Sequence, residues 1–202
     1  MDERIPVIRK RLKKKLTPER YEHSLSVSYT AAALAMRYGY DLDRAELAGL
    51  LHDCARQFDN QVIYEKCLEK GLEVTEDEEK NKVLLHARYG SYMAAHKYGI
   101  DDLEILSAIE YHTTGRPDMS MLEKILYIAD YIEPRRNKAA NLEHMRRLAF
   151  VDLDEALVEI MTGILEYLDE TGASIDNQTK EACRFYERYH NVRSKRPETL
   201  LS

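Results

Sequence analysis

The sequence predicts an all-α protein, one helical bundle spanning residues 1–202. Apolar residues recur at three- and four-residue spacing along nearly the whole chain. Stretches alternating at the two-residue period of strands are almost absent, and the breaks between periodic stretches carry helix-ending signals. Hydrophobic residues make up 44% and charged residues 33% of the chain, a balance ordinary for a protein with a real core.

Helices are expected near 3–15, 18–38, 43–57, 60–70, 76–84, 87–98, 101–112, 119–133, 142–147, 152–170 and 177–189. The first presents Ile5, Ile8, Leu12 and Leu16 as its apolar stripe. Its basic run from Arg9 to Lys15 spreads around the rest of the circumference, which reads as a solvated face rather than a nucleic-acid patch. The second opens at Thr17-Pro18-Glu19, with threonine as cap and proline at the first helical position. The third repeats Ala45, Ala48, Leu51 and Ala55 on one face. Gly39, Gly71, Gly99 and Gly172 stand where helices should stop. Glu133-Pro134 halts a strongly apolar helix, because the residue before a proline disfavours helical backbone. From about Val192 onward a loosely ordered tail is expected. No internal repeat or linker divides the chain.

Charge and cysteine usage exclude several function classes. A net charge of -6 argues against a general nucleic-acid binder, so any polyanionic ligand must meet a local positive pocket. Cys54, Cys67 and Cys183 are odd in number and scattered, which fits a reducing cytoplasm rather than a disulfide framework. No signal peptide or spanning helix is expected, since a spanning helix needs about 20 apolar residues. There is no Walker loop, dinucleotide fingerprint or HExxH motif.

The chemistry concentrates in His23, the pair His52-Asp53, His86, His112 and Asp130, each in a segment that reads as helix. Taken singly, a histidine on an apolar face is more often a hydrogen-bonded core residue than a ligand. Asp130 resists that reading, because Leu126, Ile128, Ala129 and Ile132 surround a carboxylate that needs a partner or a metal. His112 ends a helix and leads into Thr113-Thr114-Gly115-Arg116-Pro117, a donor-rich turn suited to an anion. Jointly, six imidazoles and carboxylates in this order favour a metal site that activates water.

The order His, His-Asp, His, His, Asp resembles the HD-domain superfamily of metal-dependent phosphohydrolases. The flanks are more closely similar to the YqeK family of bacterial symmetrical diadenosine tetraphosphate hydrolases. The segments that carry the likeness are Arg20-Tyr21-Glu22-His23-Ser24, Leu50-Leu51-His52-Asp53, Leu85-His86-Ala87-Arg88-Tyr89-Gly90, Ile109-Glu110-Tyr111-His112-Thr113-Thr114-Gly115 and the stretch from Lys124 to Arg135, with Asn177-Gln178-Thr179 less sharply. Ser91, where a small alanine is expected, is a minor departure.

The resemblance implies that His23, His52, Asp53 and Asp130 hold the primary metal, iron in the family, although the nitrogen and oxygen donors suit manganese or zinc as well. His86 and His112 either bind a second ion, with Asp53 bridging, or contact the substrate phosphates, with His112 protonating the leaving phosphate. One or two ions are therefore expected. The implied reaction is metal-dependent hydrolysis of diadenosine tetraphosphate, or a related dinucleoside polyphosphate, in its middle to two ADP. A metal-activated water attacks one central phosphorus, with Asp53 and His112 as the catalytic pair. Arg20 and Arg135 would neutralise phosphate charge, because an arginine fork suits phosphate. The neighbouring Arg136 is read as a solvated surface residue. Thr113, Asn177 and Thr179 would help enclose the nucleotide, and His23, His86 and Asp130 would also border the substrate. A homodimer stays open, and no nucleic-acid or membrane partner is expected. Two rivals remain: an HD-type nucleotidase or phosphodiesterase acting on mononucleotides or cyclic nucleotides, and a non-catalytic nucleotide-binding helical module. Activity should fall as ligand histidines protonate below ~6.5.

Overall fold

The computed structural model describes residues 2–139 and 141–193, with side chains through His190. Among these residues there is no strand. In chain order the helices are α1 (Arg4–Lys13), α2 (Pro18–Tyr38), α3 (Leu42–Leu51), α4 (Asn60–Glu69), α5 (Glu76–Lys80), α6 (Leu85–Tyr98), α7 (Leu103–Tyr111), α8 (Met121–Ile132), α9 (Leu142–Leu148), α10 (Leu153–Glu170) and α11 (Asn177–Arg193). The expected terminators act as such. Thr17 accepts the Arg20 N–H at the start of α2, and Gly39 and Gly99 close α2 and α6 at φ values of 66° and 70°. Ser120 and Glu123 form a reciprocal capping box that opens α8. Positions 194–202 of the expected tail lie outside the described residues, whereas the backbone at 190–193 is still helical.

Two segments depart from the expected helices. The stretch expected at 43–57 is not continuous: α3 ends at Leu51, Asp53 leaves helical geometry at φ -103° and ψ 16°, and a 3₁₀ turn follows at Cys54–Gln57. On an unbroken helix neighbouring side chains diverge by roughly 100°. The break lets His52 and Asp53 converge on one point. The expected 76–84 helix stops at Lys80 because Asn81 turns out at φ -124° and ψ 77°, and α6 begins at Leu85, placing His86 in its first turn.

The site is built around α8, which packs against α2, α3, α7 and α10. Leu122, Ile125, Leu126, Ile128, Ala129 and Ile132 are all buried, as expected for a helix covered on several sides. The α2–α3 pair is closely packed, because at Gly49 an added Cβ would stand 2.6 Å from the Ser28 Cα. Ser28 seals the contact by donating its hydroxyl to the Glu46 carbonyl at 2.9 Å. That close approach sets His23 of α2 against His52 at the end of α3.

Candidate metal centre

Four helix segments deliver four imidazoles to one spot. Ring centroids are 5.2 Å apart for His23 and His52, 5.0 Å for His52 and His112, and 5.0 Å for His112 and His86, all edge to face. His52, Asp53, His86 and His112 are 0, 3, 2 and 4% exposed, so these polar groups have left water and need partners.

The partners define which nitrogen faces the centre. His52 Nδ1 lies 2.7 Å from the Gly49 carbonyl, His86 Nδ1 2.6 Å from that of Val83, and His112 Nδ1 2.7 Å from that of Ile109. A carbonyl only accepts, so each Nδ1 carries the hydrogen and each Nε2 turns inward. His23 differs: its Nδ1 is 3.2 Å from Glu133 Oε1. Inside the cluster, the Nε2 atoms of His23 and His52 are 3.3 Å apart, and those of His86 and His112 are 3.1 Å apart. Two bare lone pairs at such distances repel unless a proton or a cation lies between them.

Asp53 sits between these pairs with one oxygen toward each. Its Oδ2 is 3.7 Å from His52 Nε2 and 3.9 Å from His23 Nε2, while its Oδ1 is 3.4 Å from His86 Nε2. Asp130 closes the first pair, with Oδ1 3.1 Å from His23 Nε2 and 3.9 Å from His52 Nε2. Two ligand sets have donor atoms within 4.8 Å of one another: His23, His52 and Asp130, and His52, Asp53 and His112. This donor chemistry fits a divalent cation, because inward nitrogens without hydrogens and ionised carboxylates are what such an ion requires.

Electrostatics agree at His52 and His86. Burial pushes the His52 imidazole down to about 4, against the pull of Asp53. Burial, with His112 beside it, pushes His86 down to about 3. Both rings therefore stay neutral at neutral pH, ready to ligate, and resist protonation well below the ~6.5 of a free imidazole. For these two rings burial acts downward from the free-histidine value on which the expected acid limb rests. For His23, burial works in the same downward direction, but the carboxylates of Asp130, Asp53 and Glu133 outweigh it and raise the ring above its ordinary value. Burial would raise the Asp53 carboxyl, yet the imidazoles of His52, His86 and His112 and the Arg56 guanidinium hold it below the usual carboxylate range. Asp130 is likewise held low against burial by His23, His52 and Arg136.

A cleft of about 450 Å³ opens onto the cluster, bordered by Arg20, Arg56, Arg135, Arg136 and Lys138 as well as by His23, His86 and His112. In a chain of net charge -6 this is the local positive pocket a polyanion needs. Arg20 Nη1 reaches Asp53 Oδ2 at 2.9 Å. Thr113 Oγ1 stands 3.3 Å from His86 Nε2 and 3.2 Å from His112 Nε2, at the cleft wall. Arg135 borders the cleft but leans toward Glu22, 3.9 Å away. Its neighbour Arg136 is not the solvated residue expected: Nη2 lies 3.2 Å from Asp130 Oδ1.

Asn177 and Thr179 do not border this cleft. The Asn177 N–H donates to Asp77, and the residue lines a separate, mainly acidic cavity of about 420 Å³ between α5 and the start of α11. Thr179 is buried, and its hydroxyl donates to Asp176, so its visible role is to fix the start of α11. Two residues were missed. Arg56, three residues after Asp53, places Nε 3.4 Å from Asp53 Oδ1, and Glu133, three after Asp130, supports His23. One-turn spacing from a candidate ligand is the cue the sequence holds for each, and many other charges share it.

Residues 20–135 match the model of the HD domain. The chain belongs to the HD-domain family. It is 40% identical over 161 residues to a symmetrical bis(5'-nucleosyl)-tetraphosphatase of Halalkalibacterium halodurans, covering 78% of this chain and 83% of that one. The like-named protein of Bacillus subtilis is 38% identical over the same length, with the same coverage. These likenesses place the chain in the branch of the family that carries that name. The crystal structure of a "predicted HD superfamily hydrolase involved in NAD metabolism" from Clostridium acetobutylicum superimposes with a TM-score of 0.88 at 39% identity, over 92% of this chain and 97% of that one. The HD match holds every residue of the His-Asp cluster, from His23 to Asp130, and ends short of α9, α10 and α11, with α1 before it.

Proposed function

We propose that this protein hydrolyses diadenosine tetraphosphate and related dinucleoside polyphosphates symmetrically, adding one water to release two ADP. The observation that carries this reading is Asp53, whose two oxygens face two imidazole pairs at the floor of an arginine-bordered cleft. The names of the related proteins support the substrate. His23, His52, Asp53 and Asp130 would hold the primary metal, for which iron is proposed and manganese or zinc is chemically suitable. A divalent cation there supplies the Lewis acidity that makes water nucleophilic near neutral pH and offsets charge on the phosphate.

The chain's own residues do the rest. Asp53 orients the attacking water from the ligand side and keeps the carboxylate ionised that the site needs. Arg20, Arg56, Arg135 and Arg136 line the path of the polyphosphate, and their forked donors fix its oxygens in register. His86 and Thr113 border the phosphate next to the one attacked. His112, its ring held by the Ile109 carbonyl with the hydrogen on Nδ1, would take up at its bare Nε2 the proton given up by the attacking water and hand it on to the leaving phosphate oxygen. A second ion at His86 and His112 is the alternative use of the same nitrogens. Asn177, which lines the neighbouring cavity, would meet the nucleoside, and Thr179 would hold the helix start that carries it. We further read the chain as one domain working in the cytoplasm, where the buried thiols Cys54, Cys67 and Cys183 stay unpaired. No helix among the described residues is long and apolar enough to cross a membrane.

The test is direct. Purified protein supplied with ferrous or manganous ion and diadenosine tetraphosphate should release ADP alone. ATP plus AMP, or no turnover, would refute the symmetrical reaction.

A further inference from the structure

Glu133 is only 3% exposed and stands directly after α8, where the chain turns out at φ -50° and ψ 144° ahead of Pro134. Such a carboxylate must be paired to be tolerated. One oxygen, Oε1, faces His23 Nδ1 at 3.2 Å, and the other, Oε2, accepts the Arg135 backbone N–H at 2.7 Å. The Glu133 carbonyl is also engaged, accepting Arg146 Nη2 at 2.8 Å and the Arg136 N–H at 3.0 Å. Arg146 of α9 reaches the Ile132 and Arg136 carbonyls as well, each at 2.8 Å, and so straps the whole turn. The carboxylate is held from behind and cannot swing away from the imidazole.

The other three imidazoles take their orientation from the main chain of their own segments. His23, on the second turn of α2, instead takes the partner of its Nδ1 from another element, Glu133 just past the end of α8. We propose that Glu133 is a positioning residue for the metal centre, holding His23 with its hydrogen on Nδ1 and its Nε2 turned toward the ion. A carboxylate behind a ligating histidine fixes the ring and makes its free nitrogen a stronger donor. One helix end thereby furnishes both a ligand, Asp130, and the support of a ligand on another helix.

This rests on the metal reading given above, and the test separates the two. Manganous ion is titrated into the intact protein in competition with a chromogenic chelator. The proteins compared are wild type, Glu133→Gln, Glu133→Ala, His23→Ala, His52→Ala and the double variant His23→Ala with Glu133→Gln. Loss of a partner of this kind weakens metal binding about 10–100-fold. Glu133→Gln, which keeps the shape and removes the charge, should lie near the lower figure and Glu133→Ala near the upper. In the His23→Ala background the Glu133→Gln change should cost nothing further, because its route to the ion is already gone. Wild-type affinity in both Glu133 variants would overturn the proposal. So would an undiminished loss in the His23→Ala background, which marks mere support of the fold. If wild type and His52→Ala bind manganese equally weakly, the metal reading itself falls and takes this one with it.

Discussion

The two imidazole pairs around Asp53 use the same chemistry in different surroundings. His23 and His52 share their space with a second carboxylate, Asp130, and His23 has Glu133 behind it. Among the described residues no second carboxylate stands beside His86 and His112, which have Asp53, the His52 ring and the Thr113 hydroxyl as neighbours. Negative charge thus accumulates beside the first pair, which favours a tightly held cation. On the proposed function, the second pair would keep its nitrogens for something that brings its own negative charge, a phosphate, or for a more loosely held ion. A shared carboxylate can therefore join two sites of unequal affinity from one short list of residue types.

Substitutions can break this contrast, beginning with the residues both pairs depend on. His52→Ala or Asp53→Ala should remove the bound metal and lower turnover by more than about 10³-fold, beyond the roughly 10–100-fold typical of residues that only support a ligand. Elemental analysis of protein prepared without chelators, alongside ADP release, checks both parts, and retained metal would dissolve the first pair as a site. His112→Ala should lower kcat by about 10²-fold, as loss of a proton donor does, while the metal of the first pair stays. If the metal leaves with His112, the pairs are one site rather than two. Arg136→Ala should act more mildly, raising KM for diadenosine tetraphosphate by about 10-fold, in line with one lost charge-assisted contact. Arg135→Ala should do less, since that side chain leans toward Glu22.

The smallest effect is on metal-free protein. His52 and His86 are held at about 4 and about 3, below the ~6.5 of the unfolded chain. Between these values the unfolded state binds more protons, so stability falls as pH drops from about 6.5 toward 4. Asp53 and Asp130, held low in the fold, lose their contribution at still lower pH, as each is forced to protonate. His23, raised by its carboxylates, contributes with the opposite sign, being fully stabilising at low pH and less so as pH rises through its folded value. Two depressed rings against one raised ring leave a net loss on acidification. Thermal melts should show the melting temperature dropping by several degrees, at roughly 2–4 °C per kcal/mol for a chain of this size. A melting temperature flat from 6.5 to 4 would mean these rings are solvated.

Much of this centre is legible in the sequence because its ligands break a local pattern. Asp130 sits in an apolar helix, and His52 adjoins an apolar stripe, so each poses a question that periodicity alone raises. Arg56 and Glu133 break no pattern. They are charges among charges until the fold turns them inward. Arg135 and Arg136 follow the same proline, and only the path of that turn decides which of them meets Asp130. Asn177 and Thr179 have a second use that the sequence offers equally, since Asp176 and Thr179 suit the start of a helix. The break after Leu51 was hidden for the opposite reason: helical spacing continues through Ala55 although the backbone does not.

The imidazoles of His52, His86 and His112 are each aimed by the carbonyl three residues earlier in the chain, at Gly49, Val83 and Ile109. Every amino acid brings a carbonyl, so no point mutation at those positions deletes the acceptor. The tautomers of three ligands are therefore inherited with the backbone and insulated from drift in the side chains around them. His23 has no such insurance. A lineage can lose its proper orientation through one codon more than a hundred positions away, which makes residue 133 a place where this chemistry can be quietly retired or retuned.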